Sequence, residues 1–469
     1  MATVLLIQTG WFEHLGLLYL ASFVRSRGHR PELRVLRQPR ALQAAVAQIQ
    51  PQVVAFSATT GMHRRVLELA RSLRPFFSGL ILLGGPHPTY FPEVIQDQGL
   101  DVICRGEGEK PLADLLDCLD RGEDFTRVRG LWVKREGEVV ENPPADLIED
   151  LDSIPFPDRG LLEAADPFLG RSAMRRLVTM RGCPYRCAYC YNGTLQDLLH
   201  GHGRYLRQRS VDNVLAELRT LPGPKTINLV DDTFGVKREW ALDFLDRYGR
   251  EFGWPLIVNA RVELLDEELI RALQAANCHC VQIGLESGDA RIREQVLGRK
   301  VSDDKILAAG EALHRHGLKF LTYNMIGLPE ETLDQAMATL ALNGRLAADF
   351  PRVSIFQPYP RTALGDQARN SGLVAPDYAA DQVSESYFRH SVLRRPDIRR
   401  FENLHKLFWP AIRWPRLRPA ARALTRLPRN PLFDLIFLVS IGLQYRAATN
   451  RPLGETLTLG WKNLRAYFT

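Results

Sequence analysis

The chain has 469 residues, 45% hydrophobic and 25% charged, with a formal net charge of +7. That length exceeds one ordinary domain, so two or three are expected, and the composition is that of a globular protein, with disorder not the default. Seven cysteines, an odd number, follow an amino terminus "MATVLLIQTG" that has no basic segment or small-residue cleavage site. This argues for free or metal-bound thiols in a reducing cytoplasm rather than for secretion.

In chain order, residues 1–125 alternate apolar β-runs, "TVLLIQ", "VVAFSA", "LILLGG" and "LDVICRG", with helical segments such as "LGLLYLASFVRSRG". This α/β pattern predicts a doubly wound, Rossmann-like parallel sheet, whose ligand sits at the carboxyl ends of its strands. The loops expected there read "FSATTG" (56–61) and "GGPHPTYFPE" (84–93). Residues 126–170 hold a hairpin, "LWVKREGEVVEN", and a linker with four prolines within 143–157. Between 171 and 375 alternation restarts with "LVTMRG", "TINLVDD", "LIVNARV", "HCVQIGLES", "FLTYNMIGL" and "RVSIFQPYP". Six βα units predict a partial (β/α)6 TIM-type barrel with chemistry at its strand ends. Residues 376–469 turn helical and Pro-punctuated. Fourteen Lys/Arg and three acids lie between Arg389 and Arg451, a net of +11. The basic character is therefore local, and general nucleic-acid affinity is not expected.

The loop after the first barrel strand reads "MRGCPYRCAYCYN", with Cys183, Cys187 and Cys190. Structural zinc takes four ligands and would have to recruit His200, His202 or Cys278. An iron–sulfur cluster on three thiolates instead leaves one iron open to bind and reduce a small molecule. Cys104, Cys118, Cys278 and Cys280 read as small core hydrophobes.

Cys-x3-Cys-x2-Cys with an aromatic, Tyr189, before the last cysteine resembles the radical S-adenosylmethionine enzymes. The resemblance implies a 4Fe–4S cluster on Cys183, Cys187 and Cys190, and S-adenosylmethionine chelating the open iron for cleavage to a 5′-deoxyadenosyl radical. It also implies S-adenosylmethionine contacts from Tyr189, from Asp231 and Asp232 in "LVDDTF", and from Asn259 and Arg261 in "NAR". Glu286 in "GLESG" and Gly327 in "MIGLPEE" complete that set, and "FQPYPRT" closes the sixth strand. The same residues suit plainer roles: a helix cap at Asp232, a salt bridge at Glu286, a turn at "GLP".

"GGPHPTYFPE", "DVICRGEGEKPL" and the connector "IPFPDR" resemble the cobalamin-binding half of a large subfamily of these enzymes. Cobalamin contacts are then expected from Ser57, Thr59, Thr60, Gly84, Gly85, His87, Thr89 and Glu107. The first loop, "QTGWFEHLG", departs from the Asp-x-His-x-x-Gly pattern that supplies a lower cobalt ligand. His14 is read as a loop residue and His87 as a hydrogen-bond partner, so base-off cobalamin without a protein histidine is expected.

The resemblance implies a class B-like C-methyltransferase that methylates an unactivated carbon through methylcobalamin and a substrate radical. Alternatives are a cyclase of the anaerobic tetrapyrrole type and a non-catalytic cobalamin or redox sensor. Expected partners are a small apolar or anionic substrate and a flavodoxin- or ferredoxin-type electron donor. "LIFLVSIGL" (435–443), nine residues, is about half a bilayer span. Its surroundings, "NPLFDLIFLVSIGLQYRAA", are apolar nearly all round and are expected to be buried. The C-terminal region reads either as a helical cap on the barrel, with Phe401, Leu404, Leu407 and Phe408 on one face, or as a basic amphipathic surface for membranes or substrate.

Overall fold

The computed structural model describes residues 1–386, 388 and 390–468, with side chains described through 463. The chain folds as two units, Met1–Ser172 with Thr194–Arg209, and Ala173–Gly193 with Ser210–Thr469.

The first unit is built on seven strands: β1 (Thr3–Gln8), β2 (Arg30–Val35), β3 (Val53–Ser57), β4 (Leu80–Gly84), β5 (Val102–Cys104), β6 (Leu131–Arg135) and β7 (Glu138–Glu141). Their order is β2-β1-β3-β4-β5-β6-β7, parallel through β5 and antiparallel in the closing hairpin. β1 and β3 to β5 are apolar on both faces, as a sheet covered by helices requires. β2, "RPELRV", carries three charges and a proline and is missing from the sequence reading; it is an edge strand, where such residues are tolerated. Order reverses between β1 and β3, so a crevice opens beyond their carboxyl ends. Asn142 fastens the hairpin, donating to Thr126 O (2.9 Å) and Leu131 O (2.7 Å).

The second unit carries β8 (Met174–Leu177), β9 (Thr226–Leu229), β10 (Leu256–Ala260), β11 (Cys278–Glu286), β12 (Lys319–Ile326) and β13 (Phe350–Ile355). All pair in parallel with their sequence neighbours, and β8 and β13 are the edges of an open, partial barrel. Leu177 lies opposite Leu229, Ala260 opposite Ile283 and Ile326 opposite Ile355, so the loops after these strands share one rim. Cys278 and Cys280 are buried in β11, and Cys104 in β5; burial pushes the thiols of Cys104 and Cys278 up to about 12, so they are inert packing groups. Cys118 is only half-buried.

Ile398–Arg413 caps the barrel side, burying Phe401, Leu404, Leu407 and Phe408 against Ile326, Leu333 and Val353. Burial of the following apolar segment is corrected by the structure. Helix Pro431–Thr449 buries the stripe Phe433, Phe437, Ser440, Gln444 and Ala448 with Thr449 at its end, while Leu432, Leu435, Val439 and Leu443 are exposed. A single helix laid on a barrel foot can bury one side, and its uniform apolarity hides which side that is.

Gly288 of "GLESG" is a packing residue. A Cβ there would lie 2.4 Å from Ala338 O and Thr339 Cα, and its N–H donates to Thr339 Oγ1 at 2.8 Å. Gly288→Ala is expected to cost about 1–3 kcal/mol, read as a lowered urea midpoint; an unchanged midpoint would contradict this packing.

Candidate functional site

The cysteine loop leaves β8 through a buried carboxylate. Asp231, just past β9, accepts from the N–H groups of Thr179 (2.7 Å) and Met180 (3.1 Å) and from the Thr179 hydroxyl. Burial raises its carboxyl to about 6 against these hydrogen bonds. Asn259 Nδ2 donates to Asp231 O (3.0 Å), so the ends of β8, β9 and β10 are tied together. Further along, Ala188 is pinned by its N–H to Leu297 O (3.2 Å) and by its carbonyl to Leu364 N–H (2.8 Å). Both of these anchors are backbone.

Each thiol faces a polar group. Arg261 Nη1 points at Cys187 Sγ (3.4 Å), Asn192 presents its backbone N–H (3.5 Å) and amide (3.6 Å) to Cys190 Sγ, and the Thr233 hydroxyl lies 3.8 Å from Cys183 Sγ. Burial pushes the Cys183 and Cys190 thiols up, so ionising them calls for a cationic centre. Among the described residues no three His, Cys, Asp or Glu side chains are gathered at metal-binding distances. The three thiols still share one braced loop, and these donors suit sulfur that carries negative charge, so the residues fit a three-thiolate cluster. Of the fourth zinc ligands the sequence offers, Cys278 starts β11, at the opposite end of the strand from the rim, and His202 pairs with Asp146 (3.4 Å).

The other rim residues divide in two. Asp232 is exposed, its carboxylate accepts from Asn192 Nδ2 (3.3 Å), and desolvation by the surrounding protein raises its carboxyl pKa. Arg261 lies over the Tyr185 ring (3.8 Å) and pairs with Glu263. Glu286 is buried at φ 67° and meets Arg299 Nη1 (3.2 Å), which also reaches Tyr189 Oη (3.3 Å). Gly284 leaves room for this pair, since a Cβ there would lie 2.4 Å from Glu286 Oε1. Burial raises Glu286. Arg299, absent from the sequence reading, keeps Nε and Nη2 buried without a partner, so its guanidinium has unused donors at the rim. The signal for it was Glu286, a buried acid that needs a counter-charge.

Gly327 adopts φ 77°, and Glu331 accepts from its N–H (2.6 Å) and that of Leu328 (3.2 Å). Arg395 then clamps the turn through the carbonyls of Leu328 and Glu331, both 2.7 Å. The "GLP" turn is therefore held rigidly from both sides.

In the first unit, Ser57 and Thr60 are partly exposed and Thr59 exposed at the β3 end. Gly85 has φ 90°, and a Cβ on it would lie 2.6 Å from Ser57 Oγ, so this glycine serves the approach of two loops to each other. A Cβ on Gly84 would make ordinary van der Waals contacts with Cys104 Cβ and Phe56 O, both 3.8 Å, so the space beside it is already lined by the protein. His87 is buried, stacked on His63 (3.7 Å), with Nδ1 3.2 Å from the Thr60 hydroxyl. His14 caps the helix Leu15–Ser26, accepting from Leu17 N–H at 3.3 Å. Thr89 joins Gly85 O (2.8 Å) to Gly106 N–H (3.0 Å), and Glu107 forms a two-bond pair with buried Arg207 (2.6 and 3.0 Å). Thr89 and Glu107 thus brace the loops. What remains is the hydroxyl crest of Ser57, Thr59 and Thr60, whose donors and acceptors fit an amide-bearing macrocycle.

The Radical SAM superfamily matches residues 177–342 and the B12 binding domain residues 9–116. The chain is 30% identical over 372 residues to an uncharacterized methyltransferase of Pyrococcus horikoshii, covering 77% of this chain and 79% of that protein. It is 25% identical to an anaerobic magnesium-protoporphyrin IX monomethyl ester cyclase of Rubrivivax gelatinosus, over 74% of this chain but only 64% of the relative. The fold is shared with OxsB, a cobalamin-dependent S-adenosylmethionine radical enzyme solved with aqua-cobalamin and S-adenosylmethionine: TM-score 0.69, 17% identity, covering 100% of this chain and 75% of that one.

Burial and an unpartnered Oε1 raise Glu331 from 4.5 to about 8. The fold thus favours the protonated acid, and the stability it lends is lost as pH rises through that window. Relative to Glu331→Gln, the wild type should lose stability between about pH 5 and pH 8 in urea titrations. A pH-independent difference between the two would contradict this.

Proposed function

Because this chain belongs to the cobalamin-binding radical S-adenosylmethionine family, we propose that it is a C-methyltransferase acting on an unactivated carbon of a small apolar or anionic molecule. The observation that carries the reading is the presence, on one chain, of a braced three-cysteine loop at a barrel rim and a hydroxyl-lined crest at a sheet switch point. The wider coverage of the methyltransferase relative, 79% against 64% of the cyclase, favours methyl transfer.

When bound, the cluster supplies the electron that cleaves S-adenosylmethionine reductively, and cobalamin carries the methyl group of a second S-adenosylmethionine. The chain's own residues bind and orient. Asp232 offers an exposed carboxylate beside Cys190 for an ammonium group, while the Asp231 carboxylate is taken up by Thr179 and Met180 and holds the loop. The unused donors of Arg299 suit a carboxylate or ribose oxygen, with Glu286 and Tyr189 fixing the guanidinium plane. The engagement of His14 and His87 within the protein supports base-off cobalamin. The electron comes from a flavodoxin- or ferredoxin-class donor.

The cyclase reading is favoured by the Rubrivivax relative and makes a different product pattern. Reconstituted protein given S-adenosylmethionine and a one-electron reductant is expected to form S-adenosylhomocysteine, at least in proportion to bound cobalamin, as well as 5′-deoxyadenosine. Cys190→Ala should lower the deoxyadenosine by more than about tenfold. Deoxyadenosine with S-adenosylhomocysteine at background would overturn methyl transfer and favour the cyclase.

A further inference from the structure

We propose that the last two helices form a docking surface for a bilayer bearing anionic headgroups, a property separate from the choice of substrate. On helix Pro431–Thr449, Leu432, Leu435, Val439 and Leu443 are 61, 57, 54 and 54% exposed. Their spacing of three and four residues places them on one face. Helix Leu453–Phe468 packs against the first and exposes Leu453, Leu457 and Trp461 (52, 64 and 77%), again four apart. A soluble surface rarely leaves so many large apolar side chains uncovered side by side.

The rim is cationic. Residues 413–451 contain eight arginines and one acid, Asp434, which faces Lys406 at 3.3 Å. Arg422, Arg429 and Arg451 pair with Asp334, Glu402 and Glu455. Arg413, Arg416, Arg426 and Arg446 are exposed and have no acidic partner among the described residues. Leu443 and Arg446 also line an open cavity of about 550 Å³ at the barrel foot, where Lys319, Arg446 and Arg451 outnumber one acid, Asp349. A basic recess thus adjoins the apolar stripe, at a distance from the cysteine rim set by the length of the strands.

Three observations choose the occupant. A second copy docking through a two-fold axis would set this arginine rim against itself, which like charges oppose. An anionic leaflet complements it, with the apolar stripe entering the headgroup boundary. Helix Pro431–Thr449 is long and apolar enough to cross a bilayer, but a third of its apolar window is buried in the protein, and Ser440 and Gln444 lie on that side. It therefore lies on the membrane plane rather than across it.

Flotation of the full chain with vesicles tests this. Binding is expected to mixed phosphatidylcholine–phosphatidylglycerol vesicles, to weaken as salt rises, and to be much weaker with phosphatidylcholine alone. Leu435→Glu with Val439→Glu and Trp461→Glu should lower binding by more than about tenfold while iron and cobalamin content stay unchanged. Arg416→Glu with Arg426→Glu should remove the preference for anionic lipid. Absence of flotation with mixed vesicles, or triple-variant binding equal to wild type, would overturn the proposal. So would a dimer in solution that the triple variant converts to a monomer, since that gives the face to a second copy.

Discussion

The second unit depends on one buried carboxylate. Asp231 gathers two N–H groups and a hydroxyl from the first residues beyond β8, while Asn259 fixes its own carbonyl from β10. Three neighbouring strand ends are thereby locked at the point where the cysteine loop departs. Burial disfavours the charged form, and the three donors offset that cost. Further along, the loop is held by the two backbone bonds of Ala188, the turn from Cys187 to Cys190 and the Tyr191 hydroxyl, which donates to Pro360 O (3.0 Å). The placement of three thiols beside Arg261, Asn192 and Thr233 follows from that geometry.

A second level of order surrounds the rim. Glu286, strained at positive φ, and Arg299 form a buried pair that Gly284 makes room for. Glu331 and Arg395 grip the turn at Gly327 from opposite sides. Arg299 Nε and Nη2 and Glu331 Oε1 are buried without a hydrogen-bond partner among the described residues, capacity that would suit a polar ligand. The first unit solves a different problem. Its crest holds hydroxyls, while its two nearby histidines are engaged by Thr60, His63 and Leu17.

The apolar strands of both sheets were legible because parallel strands buried on two faces read as continuous hydrophobic runs. β2 was not, because an edge strand tolerates Arg, Glu and Pro. The cysteine loop was legible from spacing alone. Asp231 and Asp232 were not separable, since adjacent residues alternate between interior and rim only once the strand end is fixed. Gly85 reads as a ligand-facing glycine, yet the atom it approaches is Ser57 Oγ, a contact between segments distant in sequence. Glu107 and Thr89 likewise turn inward, to Arg207 and Gly106. The exposed stripe of the C-terminal helices was hidden by a composition apolar on every side.

The central claim is that Cys183, Cys187 and Cys190 hold a cluster with one iron left for S-adenosylmethionine. Mössbauer spectroscopy of protein reconstituted anaerobically with isotopically enriched iron tests it directly. The account predicts that one iron of the cluster's four changes its signal when S-adenosylmethionine is added, and that Cys187→Ala loses the cluster. Four irons that respond alike, or iron retained in Cys187→Ala but lost when Cys278 and Cys280 are replaced, would contradict it.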